Sequence, residues 1–317
     1  MSSASRTVIT YYEQAGRGVS PLPDPKPNSI AACGSRSVLV AALYRFAAIA
    51  DPGVVLGRLQ AAADTLGIRG TLILAQEGIN GTVAGRPVAV AALLALIRAM
   101  PGFAGLSVKF SWAAEMPFGR LKARLKPEIV TMGVEGIDPA IAAGIYVAPG
   151  DWNDLIRAPG TLVIDTRNAY EVAIGTFAGA ADPSTHSFRE FPAWIEARLR
   201  TGPKPERIAM FCTGGIRCEK ATAYVRSLGF DDVYHLDGGI LRYLAEVAEA
   251  ESLWRGACFV FDERVAVGHG LEQQPFSLCR SCGRPFPLEP GATEAGAAGG
   301  GYRQTPCEHC AQVQMSR

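Results

Sequence analysis

A chain of 317 residues, 48% of them hydrophobic, is long enough for two cores and a small appendage, so two compact domains and a tail are expected. Lys and Arg total 31 against 30 Asp and Glu, which excludes a global field for polyanions and leaves any nucleic-acid affinity to local patches. Residues 1–18 lack the apolar core of a signal peptide, and no apolar run reaches the roughly 18 residues of a membrane span; a cytoplasmic protein with no membrane or DNA partner is expected.

In chain order, residues 1–37 hold Pro21, Pro23, Pro25 and Pro27 and are expected to form an extended, poorly ordered arm. The pattern then becomes regular: a strand over 38–46, a helix over 53–66, a strand over 71–75 and a turn at Gly78-Ile79-Asn80-Gly81. A second short strand, a helix over 88–100 and a strand over 106–112 follow. This β-α-β-β-α-β order is that of a ferredoxin-like or acylphosphatase-like α+β unit, expected to span 38–133. From Tyr146 the rhythm changes, with strands over 161–165, 207–211 and 232–236 separated by helices over 188–200 and 219–228 and closed by a helix over 240–249. Alternating strands and helices imply an α/β domain, over 146–250, whose parallel sheet binds ligands at the carboxyl ends of its strands.

Cys212 leaves one such strand and is followed by Thr213, Gly214, Gly215, Ile216 and Arg217. A cysteine ahead of two glycines, an arginine and a helix places backbone N–H groups and a helix N-terminus around one sulfur, which stabilises a thiolate. Each unit by which the thiol pKa falls corresponds to about 1.4 kcal/mol, so one or two charge-assisted hydrogen bonds suffice to ionise it near neutral pH. The alternative for such a residue is a small buried cysteine at a strand end. Only four residues lie between Cys212 and Arg217, where a tyrosine-phosphatase cradle has five, so the ring suits a sulfur or a persulfide better than a phosphoryl group. Cys218 could resolve an oxidised Cys212 as a disulfide, or could pack the helix. Asp165 and Arg167 are expected on the same sheet edge, as an ion pair that fixes the loop rather than as direct catalysts. Glu171 and Asp237 are read with the same caution, His186 as a neighbour of the site, and His235 as packing.

Seven segments in order carry a resemblance: A-Q-E-G-I-N-G-T-V-A-G (75–85), R-L-K-A-R-L-K-P-E-I-V-T-M-G (120–133), D-T-R-N-A-Y-E (165–171), F-R-E-F-P-A-W (188–194), C-T-G-G-I-R-C-E-K (212–220), L-D-G-G-I (236–240) and F-V-F-D-E-R-V-A-V-G-H-G (259–270). The second half resembles a rhodanese domain, and 38–271 as a whole is similar to the oxygen-dependent tRNA uridine(34) hydroxylases. The resemblance implies hydroxylation at C5 of the wobble uridine of tRNA to give 5-hydroxyuridine, with molecular oxygen as co-substrate and dependence on the cysteine that aligns with Cys212. The residues alone point to a rhodanese-type sulfurtransferase carrying a Cys212 persulfide, which stands as the alternative; an RNA-binding scaffold with an inert rhodanese module is a third reading, opposed by the intact loop. The sequence holds no facial triad, haem-attachment motif or dinucleotide fingerprint, so it does not specify how oxygen would be activated, and no organic cofactor is evident.

In R-L-K-A-R-L-K, period-2 geometry places Arg120, Lys122, Arg124 and Lys126 on one face, opposite Leu121, Ala123 and Leu125. The row is either a solvated strand face or a set of phosphate contacts for RNA, and the resemblance favours tRNA. Within 258–317, Cys279-x-x-Cys282 and Cys307-x-x-Cys310 form two thiolate pairs separated by 24 residues, a four-cysteine zinc-like tail whose metal would be structural. His309 is a lesser candidate ligand. The sequence does not specify an oligomeric state.

Overall fold

A computed structural model describes residues 38–288 together with Cys307 and Cys310. The proline-rich arm, most of the Gly/Ala-rich stretch between the cysteine pairs, and His309 lie outside the described residues.

The first domain is a five-stranded sheet in the order β4-β1-β3-β2-β5. It is built from β1 (Val38–Phe46), α1 (Pro52–Leu66), β2 (Arg69–Ala75), β3 (Gly78–Gly85), α2 (Pro87–Arg98), β4 (Ser107–Ala113) and β5 (Leu121–Leu125). Local chemistry sets the helix ends. Asp51 caps α1 by accepting the Val54 N–H at 3.0 Å, Pro52 fits the first turn, and Gly67 ends the helix at φ 68°. In α2 the apolar residues Val90, Leu93, Leu94 and Ile97 recur at helical spacing and are buried. Strand alternation then divides β1: Leu39, Ala41 and Leu43 pack in the core with the helices, whereas Val40, Ala42 and Tyr44 face the other way and line a cleft. The strand β5 pairs parallel to β2, adding an edge outside the split β-α-β order.

The second domain contains α3 (Pro139–Ala142), β6 (Ile145–Val147), α4 (Pro149–Arg157), β7 (Thr161–Asp165), α5 (Ala169–Val172), β8 (Gly175–Phe177) and α6 (Phe191–Thr201). It continues through β9 (Arg207–Phe211), α7 (Ile216–Ser227), β10 (Val233–Leu236) and α8 (Gly239–Glu246). Its sheet runs β6-β10-β9-β7, and every pairing is parallel. Apolar layers cover both faces: Ile164 and Met210 pack with Phe191 and Val225, while Val163 and Phe211 pack with Trp152 and Tyr243. The expected helix over 219–228 begins three residues earlier, at Ile216, so it starts inside the cysteine loop. That over 188–200 opens as a 3-10 turn at Phe188–Glu190 before α6.

Two short antiparallel pairs extend this domain, β11 (Trp254–Gly256) on β8 and β12 (Cys258–Phe259) on β13 (Ala266–Val267). A last hairpin of β14 (Phe276–Leu278) and β15 (Pro285–Pro287) carries Cys279 and Cys282 in its turn. The two domains are joined by partly buried polar contacts. Lys220 on α7 donates to Glu77 at 2.9 Å, Glu128 at 2.6 Å and the Val130 carbonyl at 3.0 Å. Among the described residues no helix is long and apolar enough to cross a membrane.

Candidate active site

The loop after β9 wraps its own first residue. The Gly215 N–H donates to Cys212 Sγ at 3.1 Å, which needs Gly215 at φ 99°, a backbone conformation open to glycine; a Cβ there would also lie 2.9 Å from the Tyr44 hydroxyl oxygen. From behind, the first amides of α8 hold the loop, Ile240 N–H donating to the Cys212 carbonyl and Leu241 N–H to that of Thr213, each at 3.0 Å. Gly239 permits this approach, since a Cβ there would fall 2.5 Å from the Cys212 carbonyl oxygen.

The electrostatics favour a thiolate. Burial pushes the Cys212 thiol up, but the hydrogen bond from the Cys218 thiol, the Arg217 charge and the N–H groups of Cys218 and Gly215 outweigh it, and the pKa falls from 9.0 to about 5. Burial raises Cys218 well above its ordinary value, and the neighbouring Cys212 adds to the shift, so Cys218 stays neutral and donates. The same Cys218 is packed in the domain core, with its sulfur 3.5 Å from Thr166 Oγ1.

Arg217 points into the protein, where its fork meets both oxygens of buried Glu171 at 2.6 and 2.7 Å. Thr213 Oγ1 donates to Glu171 at 3.2 Å, and Glu171 also accepts the Asn168 N–H as part of a capping box on α5. Burial opposes ionisation of Glu171, but the Arg217 charge and hydrogen bonds hold its carboxyl below the usual carboxylate range. Asp165 and Arg167 form a second, fully buried ion pair at 2.6 Å; Thr176 and the Gly175 carbonyl complete its hydrogen bonds. This pair ties the end of β7 to β8 and does not line the cleft.

Cys212, Thr213, Gly214, Ile216 and Arg217 line a cleft of about 410 Å³, closed on the opposite side by the open face of the first domain's sheet and by the 260–271 segment. From that sheet Lys109 crosses to the loop, donating to the Gly214 carbonyl and to Ser107 Oγ, each at 2.7 Å, with its ammonium 4.4 Å from the Tyr44 ring centroid. Burial lowers Lys109 to about 8. Tyr44 in turn donates to Glu219 at 2.7 Å, and burial raises Glu219 above the ordinary carboxylate range against that bond. The partners of Arg217 and the first domain's share of the site are not visible in sequence, because they depend on contacts across 46 and 105 positions. The only local signal for Lys109 is its alternation with Val108 and Phe110, which places it off the apolar face.

Other sequence candidates fall elsewhere. His186 is exposed and lines a separate cavity with Cys282 and Arg284 rather than the cleft. His235 is buried with its ring 4.1 Å from that of Tyr146, and Asp237 pairs with Arg242. Arg120, Lys122, Arg124 and Lys126 are all exposed along β5, and Lys126 reaches the cleft. Leu125, on the strand face opposite those cations, is itself exposed because β5 is a sheet edge.

In the tail, the sulfurs of Cys279, Cys282, Cys307 and Cys310 all lie within 4.8 Å of one another, with Cys279–Cys310 at 3.8 Å and Cys282–Cys307 at 3.5 Å. Four thiolates about 2.3 Å from a tetrahedral zinc would stand about 3.8 Å apart, so the donor set fits that ion. The hairpin turn preorganises one pair through Cys279 N–H to the Arg284 carbonyl at 2.9 Å and Gly283 N–H to the Cys279 carbonyl at 2.8 Å.

The thiolate loop at the edge of a parallel sheet defines a rhodanese-type site, here roofed by an acylphosphatase-like domain. Residues 38–129 match the UPF0176 acylphosphatase-like domain and residues 148–246 the rhodanese-like domain. A tRNA uridine(34) hydroxylase of Mesorhizobium japonicum is 60% identical over 276 residues, covering 87% of both chains. That of Jannaschia sp. is 55% identical over 87% of this chain and 89% of its own, and that of Brucella anthropi 59% identical over 79% and 82%. The chain belongs to the tRNA uridine(34) hydroxylase family. A human single-domain sulfurtransferase of known structure is 25% identical over 33% of this chain and 100% of its own, with a TM-score of 0.27.

Proposed function

We propose that this protein hydroxylates uridine 34 of tRNA at C5, using molecular oxygen, with Cys212 as the reacting side chain. The observation that carries the chemistry is a buried thiol lowered to about 5 at the wall of a cleft large enough for a nucleoside. The name shared by relatives at 55 to 60% identity carries the substrate. At neutral pH the sulfur is a thiolate. Arg217 supplies positive charge while Glu171 fixes its position, Cys218 donates to the sulfur, and Gly215 directs an N–H at it. Thr213, Gly214 and Ile216 shape the loop, and Asp165 with Arg167 steadies the strand end behind it. The cations of β5 bind the RNA backbone, and the tail binds one structural zinc through its four cysteines, a closed site with no open coordination position.

The test is chemical. tRNA from cells lacking the protein should lose 5-hydroxyuridine and its derivatives at the wobble position, and Cys212→Ser should not restore them. Sulfur replacing a base oxygen adds the same nominal mass as a new oxygen, so accurate mass is required. With purified protein, isotopically labelled oxygen gas should enter the product; label arriving instead from thiosulfate sulfur would assign sulfur transfer, and full activity of Cys212→Ser would defeat both chemistries.

A further inference from the structure

Phe261 is an apolar ring that the fold leaves uncovered at the active cleft. It is 57% exposed, and of the exposed large apolar side chains among the described residues it is the one that lines the cavity shared with Cys212. Its exposure is not slack. Phe261 stands at the tip of the β12–β13 hairpin, whose neck is closed by Val260 N–H to the Val265 carbonyl at 2.9 Å, with Val265 at φ 65°. Just beyond it, Arg264 pairs with buried Asp262 at 2.6 Å and donates to Ser111 on β4 at 2.8 Å, while Glu263 N–H donates to the Pro117 carbonyl at 3.1 Å. The tip is thus pinned to the first domain. Behind Phe261 the ring of Phe259 meets it edge-to-face at 5.1 Å, and Phe259 is backed by Tyr170 at 5.3 Å.

An aromatic ring held in the cleft that also contains the thiolate, with an exposed cation just past β5 in the same lining, matches an unpaired base attached to a phosphate backbone. Lys126 lines the cleft and continues the row Arg120, Lys122 and Arg124, so a backbone following that row is led to the cleft that Phe261 also lines. From this we infer that Phe261 is the stacking platform for the target base of the RNA, holding the ring in the cleft after it leaves the stack of its neighbours. The inference deepens the proposed function and rests on its reading of RNA as the substrate. An aromatic face accepts any base, so Phe261 contributes affinity and position and leaves the choice of uracil to the polar lining.

Direct binding tests it without recourse to turnover. The full-length protein and its Phe261→Ala and Phe261→Trp variants are titrated, over several salt concentrations, with an anticodon stem-loop carrying uridine at the wobble position and with the same RNA abasic there. Phe261→Ala should weaken binding of the uridine RNA by about tenfold or more, the loss expected for one base–aromatic stack. It should leave the abasic RNA and the salt slope unchanged, and Phe261→Trp should restore the affinity. Equal losses for both RNAs, no loss for either, or a change in oligomeric mass without a base-dependent effect would each overturn the platform. Base-dependent binding in a wild-type protein that forms no 5-hydroxyuridine would support the platform and strike the hydroxylase chemistry alone.

Discussion

The chain holds two groups of thiols that are ordered by different means. Around Cys212 the protein itself supplies the order: the parallel sheet aims the loop, Gly215 turns an N–H onto the sulfur, and a buried ion pair fixes the nearest cation. In the tail, two thiols come from a short hairpin turn and two from a later pair, with a long Gly/Ala-rich stretch between them. There the donor geometry suits an ion that completes it. A thiol made reactive needs charge placed beside it and one side left open; a thiol made structural needs three more like it and no open side.

The comparison breaks most sharply at Arg217. Arg217→Met removes the partner of a fully buried carboxylate, so the protein should lose about 3–5 kcal/mol of stability in urea denaturation at pH 7. The pH dependence should also invert. In the native chain Glu171 is held below the usual range, so its contribution is present above the unfolded-state value and is lost as pH falls through the folded one. In the variant, burial raises it, and the protein should regain stability on acidification from pH 7. The Arg217 charge helps hold the Cys212 thiol below its ordinary value, so the midpoint of Cys212 alkylation should move to higher pH as the cation is lost. An unchanged midpoint would mean that Arg217 does not activate the sulfur.

Metal removal sharpens the other side. Protein prepared without chelator should contain about one zinc per chain, and Cys282→Ser should lower that content while leaving the rate of Cys212 alkylation within about twofold. Absence of metal by elemental analysis would contradict the tail's role. The smallest effect is expected from the exposed strand: replacing Lys122 and Arg124 with Glu should weaken tRNA binding and reduce its salt slope by about one per cation removed, with Cys212 alkylation and stability unchanged. Salt titrations that superimpose on the native ones would remove β5 from the RNA path.

Short-range patterns made much of this molecule legible in its sequence. The alternation of β1 and the periodicity of α2 follow from which residues can be buried, and the run from Cys212 to Cys218 carries its own turn and helix start. The cysteine spacing announces four donors, and the alternation of β5 announces its cations. Tertiary structure decided what each local feature meets. Glu171 became the partner of Arg217, Lys109 and Tyr44 crossed from one domain to the loop of the other, and Lys220 closed the joint on Glu77 and Glu128. Phe261 belongs to a motif whose letters do not say which of its two phenylalanines is covered. The physical reason is common to all of these. Periodicity and turn chemistry act over a few residues and are written into adjacent positions, whereas burial, ion pairing and a shared cleft depend on which surfaces meet, and that is fixed only when both cores have formed.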